Sequence, residues 1–264
     1  MNRHVGSVAA DGFRHEALLY AGEAEFVERV SRFVRSSLEQ GEPIMVAISS
    51  RKIRALRAAL GTDGRERVLF ADMNELGRNP ARIIPAWRDF VTEYANAGRL
   101  RGVGEPVWPG RSAAELAECE RHELLLNVAF EDGPAWWLVC PYDTAALDAG
   151  VIDQALGTHP YESDGGSARP CAAYRGLEAA SALLAEPLPQ WPPGPCLTLE
   201  FESGPLAPLR AVVAREAVLA GLDRARVDDL VLAAHEVATN SIRHGGGRGS
   251  LHVWREEDTL AVEV

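Results

Sequence analysis

Nowhere in this chain does an apolar run approach the ~18 residues that a membrane-crossing helix needs. The opening residues, MNRHVGSVAADGFRH, lack the continuous apolar stretch of a secretory leader. Both absences lead to the expectation of a cytoplasmic chain with no membrane partner. Cysteine is sparse: Cys119, Cys140, Cys171 and Cys196 form no metal-type CxxC spacing, as expected for a reduced compartment. Positive charge is also scarce. Against 38 Asp and Glu stand 27 Lys and Arg, giving a net charge of −11, so sequence-independent nucleic-acid binding through a basic face is not expected. No internal repeat is visible.

What remains is an ordinary globular composition, 47% apolar and 25% charged, in 264 residues. That length suggests two domains at ~100–200 residues each, either of which could build its own core.

Residues 1–13 are polar and expected to be frayed. HEALLY (15–20) is a short apolar run, followed by a helical period at Phe26, Val27, Val30, Phe33, Val34 and Leu38, with Gly41 as C-cap. PIMVAIS (43–49), RVLFAD (67–72) and AWWLVCPYD (135–143) read as buried strands, and RLRGVGEPVW (99–108) as a further strand candidate. Between them, 51–60, 80–98 and 112–130 read as helices, the second irregular near Pro85, and 146–160 adds a short one. Apolar strands alternating with helices predict an α/β domain with a mainly parallel sheet in three layers. Adjacent Trp136 and Trp137 must point to opposite faces of their strand. Asp143, after C-P-Y, is placed to close a turn.

Residues 160–196 change character. YESDGGSARP reads as loop, CAAYRGLEAASALLAE holds a short helix, and PLPQWPPGPC has too much proline for a helix or a central strand. A semi-rigid linker over 176–196 is the expectation. Beyond it come a strand (197–201), a helix with Leu209, Val212, Val213, Ala217 and Ala220 on one stripe, a second helix N-capped by Asp223, and two strands (250–256, 259–264) joined by a tight Glu-Asp turn.

That second helix, DDLVLAAHEVATNSIRHGGG (228–247), carries chemistry. At ~100° per residue Leu230, Ala233, Ala234, Val237 and Ser241 form an apolar stripe that Val231, Ala238 and Ile242 widen. Glu236, Thr239, Asn240 and Arg243 fall on the remaining face. Glu236 and Asn240 are i and i+4, so a carboxylate and an amide oxygen can reach one site and place a proton acceptor beside a hard-cation ligand. HEVATNSIRHG resembles the N-box of the GHKL ATPases, in the form used by anti-sigma-factor serine kinases. The resemblance implies that Glu236 is the general base, that Asn240 binds Mg²⁺, and that Thr239, Arg243 and His244 help hold ATP. It also implies an α/β-sandwich fold of the Bergerat type over 197–264. The D-x-G-x-G adenine box, the ATP lid and the second glycine box have no counterpart here, so ATP binding by this chain alone is expected to be weak or absent.

Residues 14–175 carry a second resemblance. HEALLY, GEPIMVAIS, W-P-G-R-S (108–112), C-E-R-H-E-L-L-L-N (119–127) and L-V-C-P-Y-D (138–143) are similar to the MEDS sensory domain, which implies a degenerate RecA-like core. No G-x-x-x-x-G-K-[ST] is present, so nucleotide hydrolysis there is not expected. His15 and Tyr20, flanking the first strand, and Cys119 and His122, i and i+3 on one helix, are the candidate sensor residues. Two ligands without a second pair do not make a zinc site, so helix packing or a polar-surface role is preferred for Cys119 and His122.

Together the two resemblances imply an anti-sigma-factor regulator. It would sense a small molecule, bind a sigma factor, phosphorylate an anti-anti-sigma protein on Ser or Thr with Mg-ATP, and work as a homodimer. The alternatives are a non-catalytic ligand-sensing and partner-binding regulator, and a fragment of a sensor histidine kinase. Against the last, no helix with a phospho-accepting histidine precedes the N-box.

Overall fold

A computed structural model describes residues 12–163, 168–184, 196–256 and 258–264. The chain divides into two compact units, Met1–Pro187 and Leu188–Val264. Among the described residues no helix is long and apolar enough to cross a membrane.

The first unit alternates strand and helix. In order it contains β1 (Phe13–Tyr20), α1 (Gly22–Gln40), β2 (Ile44–Ile48), α2 (Ser50–Glu66), β3 (Leu69–Asp72), α3 (Met73–Leu76), a 3-10 turn (Pro80–Arg82) and α4 (Ile83–Glu93). Next come β4 (Leu100–Gly104), α5 (Ala113–Ala129), β5 (Trp136–Asp143), α6 (Ala149–Thr158), β6 (Tyr161–Ser163), β7 (Ala168–Pro170) and α7 (Leu177–Leu184). The seven strands form one sheet in the order β3-β2-β4-β5-β1-β6-β7. Every pairing is parallel except β6 with β7.

Alternation along the strands sends successive side chains to opposite faces, and each face meets its own helices. Leu18, Tyr20 and Val139 pack with Phe26, Val30 and Val34 of α1 and Leu56 of α2. Ala17, Leu138, Cys140 and Tyr142 pack with Trp87 of α4, Cys119 and Leu126 of α5, and Ala155 of α6. The result is a three-layer α/β unit. Trp136 lies in the second cluster and Trp137 packs against the first, meeting Phe33 edge-on at 4.9 Å.

Local signals account for the helix ends. Gly41 takes the left-handed conformation (φ 69°) that closes α1. Ser112 and Glu115 form a reciprocal capping box on α5. Pro85 falls in the first turn of α4, where no intrahelical N–H bond is lost, and the preceding turn is 3-10. The expected helix over 80–98 therefore starts tighter and ends earlier.

Other expectations need correction. RVLFAD is an edge strand, with Leu69 42% exposed, because β3 has a neighbour only on the β2 side. The 51–60 helix runs on to Glu66 across a kink at Gly61 (φ 73°). The loop expected at 161–170 contains the short β6 and β7, which extend the sheet beside β1. The proline-rich stretch 186–195, residues 1–11, residues 164–167 and Glu257 lie outside the described residues; α7 occupies part of the expected linker.

The second unit contains β8 (Leu197–Glu202), α8 (Ala207–Leu219), α9 (Arg224–His244), β9 (Arg248–Glu256) and β10 (Thr259–Glu263). The strands form an antiparallel sheet in the order β10-β9-β8. Its core joins Phe201, Leu251 and Val253 to Leu209 and Val213 of α8 and Ala234 and Ala238 of α9. Asp223 caps α9 by accepting from the Arg226 N–H. The buried line of α9 is Val227, Ala234 and Ala238, flanked by Leu230, Val231 and Ile242. Ala233 and Val237, expected inside, are exposed: the helix turns its Ala234–Ala238 line toward the sheet, flanked by Leu230, Val231 and Ile242.

Gly102 lies where three large side chains converge on β4. A Cβ there would stand 3.0 Å from Leu138 Cδ1, 3.0 Å from Trp87 Cζ3 and 3.1 Å from Trp136 Cζ3. Substituting Gly102→Ala is expected to lower stability by about 1–3 kcal/mol through overpacking. The check is the urea midpoint of the full chain.

Candidate functional site

The candidate site of the first unit is a buried polar centre on the face of the sheet covered by α5 and α6. β1 and β5 run side by side in register, with His15 opposite Leu138 and Ala17 opposite Cys140, so His15 and Cys140 point to the same face. From α5, Glu123 and Asn127 come down one above the other as an i, i+4 pair. His159 arrives just after α6. His15, Glu123, Cys140 and His159 are each no more than 2% exposed, and one donor atom from each lies within 4.8 Å of the others.

The distances define a compact centre at Glu123 Oε2. His15 Nε2 is 3.0 Å away, His159 Nε2 3.4 Å and Cys140 Sγ 3.7 Å. His15 Nε2 also stands 3.3 Å from Cys140 Sγ. The other carboxylate oxygen, Oε1, accepts from the Tyr142 hydroxyl at 3.3 Å.

The surroundings fix both imidazole tautomers. Asn127 Nδ2 donates to the carbonyls of Thr158 (2.8 Å) and Glu123 (3.2 Å), so its Oδ1 is the atom turned toward His15 Nδ1 at 3.0 Å. His15 Nδ1 therefore carries the hydrogen and donates it. His159 Nδ1 lies 2.7 Å from the Ala155 carbonyl, which can only accept, so it too is the protonated nitrogen. Both Nε2 atoms are left facing Glu123, and His159 Nε2 is buried without a hydrogen bond.

Burial, reinforced by His159, pushes the His15 imidazole down to about 4. It pushes the Cys140 thiol and the Tyr142 hydroxyl up, and the Glu123 charge adds to both. Burial alone would raise Glu123 as well. The contacts with His15 and then His159 outweigh it and hold the carboxyl well below the usual carboxylate range. The centre thus keeps a buried carboxylate beside His15, whose imidazole burial disfavours as a cation.

The expected sensor residues separate. His15 belongs to this centre. Tyr20, five residues on, points to the opposite face of the sheet, donating to Glu105 Oε1 at 2.8 Å. Lys52 donates to the Tyr20 hydroxyl at 2.5 Å and is ion-paired with Glu105. Burial raises the Glu105 carboxyl above the usual range, with Lys52 opposing it. Asp143 Oδ1 does close a turn, accepting from Ala145 N, and also binds the Gly22 N–H at the start of α1. Cys119 and His122 are buried on α5 beside the centre but outside the four-atom cluster; burial pushes the Cys119 thiol up to about 11 and the His122 ring down.

The first unit holds two cavities. One of about 200 Å³ is lined by Glu16, Arg29, Phe33, Arg101 and Trp137. A crevice of about 20 Å³, lined by Cys119, Glu120, Glu123, Tyr142, Gln154 and Thr158, runs along the centre.

On α9 of the second unit, Glu236, Asn240, Arg243 and His244 are exposed, and Thr239 is half-buried, its hydroxyl donating to the His235 carbonyl at 2.8 Å.

A doubly wound α/β unit with a buried polar centre and no phosphate loop is the class this first unit defines. Residues 14–160 match the MEDS family, the MEthanogen/methylotroph, DcmR Sensory domain, and the chain belongs to that family. No curated protein matches the chain.

Sequence reasoning missed Glu123, Asn127, Cys140, His159, Lys52 and Glu105. One signal was readable: Lys52 is the single lysine among 27 basic residues. Its role predicts a sharp asymmetry. Lys52→Met leaves Glu105 buried and unpaired and should cost about 3–5 kcal/mol in denaturant unfolding. The double variant Lys52→Met/Glu105→Gln, which keeps the Tyr20 hydrogen bond, should recover more than half of that loss.

Proposed function

We propose that the chain is a signal-transduction regulator in which the sensory unit governs an output segment of the GHKL, anti-sigma-factor kinase type over 197–264. The observation that carries the output half is α9. Its Val227–Ala234–Ala238 line is buried against the unit's own core, while Glu236, Asn240 and Arg243 stand exposed along the helix. In this reading Glu236 assists the acceptor hydroxyl, Asn240 holds Mg²⁺, and Thr239, Arg243 and His244 contact ATP. Phosphoryl transfer is mainly positioning and charge stabilisation, so these side chains act only within a complete nucleotide pocket. A sigma factor and an anti-anti-sigma protein are the partners that this output serves. On the sensory side, the 200 Å³ cavity beside Trp137 supports a small-molecule signal, and the doubly wound sheet supports a RecA-like origin.

The second reading is a regulator that binds a partner without phosphoryl transfer. Val218 and Leu219 of α8 and Leu232 and Val237 of α9 favour it, since these large apolar side chains are 46–63% exposed.

Calorimetry of the full chain with ATP separates the two. The kinase reading expects weak binding that requires Mg²⁺ and falls at least tenfold in Asn240→Ala. Binding indifferent to Mg²⁺ and to that substitution would contradict it, and no binding at all would leave the partner-binding reading.

A further inference from the structure

We infer that His15, Glu123, Cys140 and His159 form a binding site for one divalent transition-metal ion of the zinc class. The inference stands on the first unit alone and does not depend on the output proposed above.

The geometry of the donor atoms comes first. Zinc bonds of ~2.0–2.1 Å to nitrogen or oxygen and ~2.3 Å to sulfur place tetrahedral donors about 3.3–3.6 Å from one another. The contacts among the four side chains are 3.0, 3.3, 3.4 and 3.7 Å. Four of the six donor separations are thus already close to those of a coordination tetrahedron, and all lie within 4.8 Å.

The groups behind the donors point the same way. Metal-binding histidines characteristically donate their other ring N–H to a carbonyl or carboxylate, which fixes the tautomer and aims the lone pair. Here Asn127 Oδ1 takes the His15 Nδ1–H and the Ala155 carbonyl takes the His159 Nδ1–H. Tyr142 occupies Glu123 Oε1 and leaves Oε2 for the ion. The orphaned, fully buried His159 Nε2 gains a partner.

Charge settles the class of ion. A dication with one carboxylate, one thiolate and two neutral imidazoles sums to zero, which a buried centre tolerates far better than an uncompensated carboxylate. Two nitrogens, one sulfur and one oxygen suit a borderline ion in four-fold coordination, and exclude Mg²⁺ and Ca²⁺, which take oxygen. A crevice of about 20 Å³, room for one water-sized particle, borders the centre at Glu123 and Tyr142.

The test is Co²⁺ titration of the full chain after chelator treatment. One equivalent should bind, with a sulfur-to-metal charge-transfer band and the intense visible bands of a tetrahedral site, both abolished by one equivalent of Zn²⁺. Cys140→Ser should remove the charge-transfer band and Cys171→Ser should leave it. His159→Ala should weaken binding at least tenfold. X-ray absorption of the zinc-loaded wild type, which needs no variant, should show one sulfur and three nitrogen or oxygen neighbours. Failure of the folded wild type to take up either ion stoichiometrically would overturn the inference. So would a sulfur-free zinc shell, or a charge-transfer band lost in Cys119→Ser and kept in Cys140→Ser.

Discussion

Two hydrogen bonds on the far sides of two imidazole rings constrain the sensory unit more than any other contact. Asn127 takes the Nδ1–H of His15 and the Ala155 carbonyl takes that of His159. Once those are made, both Nε2 atoms converge on the Glu123 carboxylate. The four side chains come from β1, α5, β5 and the end of α6, so the centre ties strands to covering helices at the middle of the sheet. Asn127 also holds the Thr158 carbonyl, linking α5 to the end of α6. A side chain with one acceptor and two donors, all committed, leaves little freedom for the rings to turn.

The opposite face of the same sheet solves a different problem. Tyr20, Lys52 and Glu105 meet at the carboxyl ends of β1 and β4, where doubly wound folds commonly place their ligand sites. Here an ion pair and a tyrosine fill that position. The turn after β1, Ala21-Gly22-Glu23, offers its Gly22 N–H to Asp143. The first helix thus begins on a carboxylate of its own chain.

Much of the fold was legible in the sequence, because continuous apolar strands and helical periods directly express two-sided burial in a parallel sheet. The errors fell where a neighbour decides the outcome. Nothing local marks β3 as an edge or attaches β6 and β7 beside β1. On α9 two apolar stripes competed, and packing chose the line through Ala234 and Ala238 over the one through Ala233 and Val237. The centre was only partly visible. His15 was singled out from its place on β1, but its partners are separated by 108 to 144 positions, and only the β1–β5 register brings Cys140 to the same face. Glu123 and Asn127 did carry a local sign: polar residues at i, i+4 on a buried helix that also carries Leu124 and Leu126. Reading Cys119 with His122 instead took the i, i+3 pair that borders the centre.

The tautomeric state of the two histidines tests the central claim most directly. Long-range proton–nitrogen correlation spectra of the labelled chain at neutral pH distinguish a protonated Nδ1 from a protonated Nε2 in each ring. The account predicts a hydrogen on Nδ1 of both His15 and His159. A bare Nδ1 in either ring, its hydrogen on Nε2 alone, would contradict it.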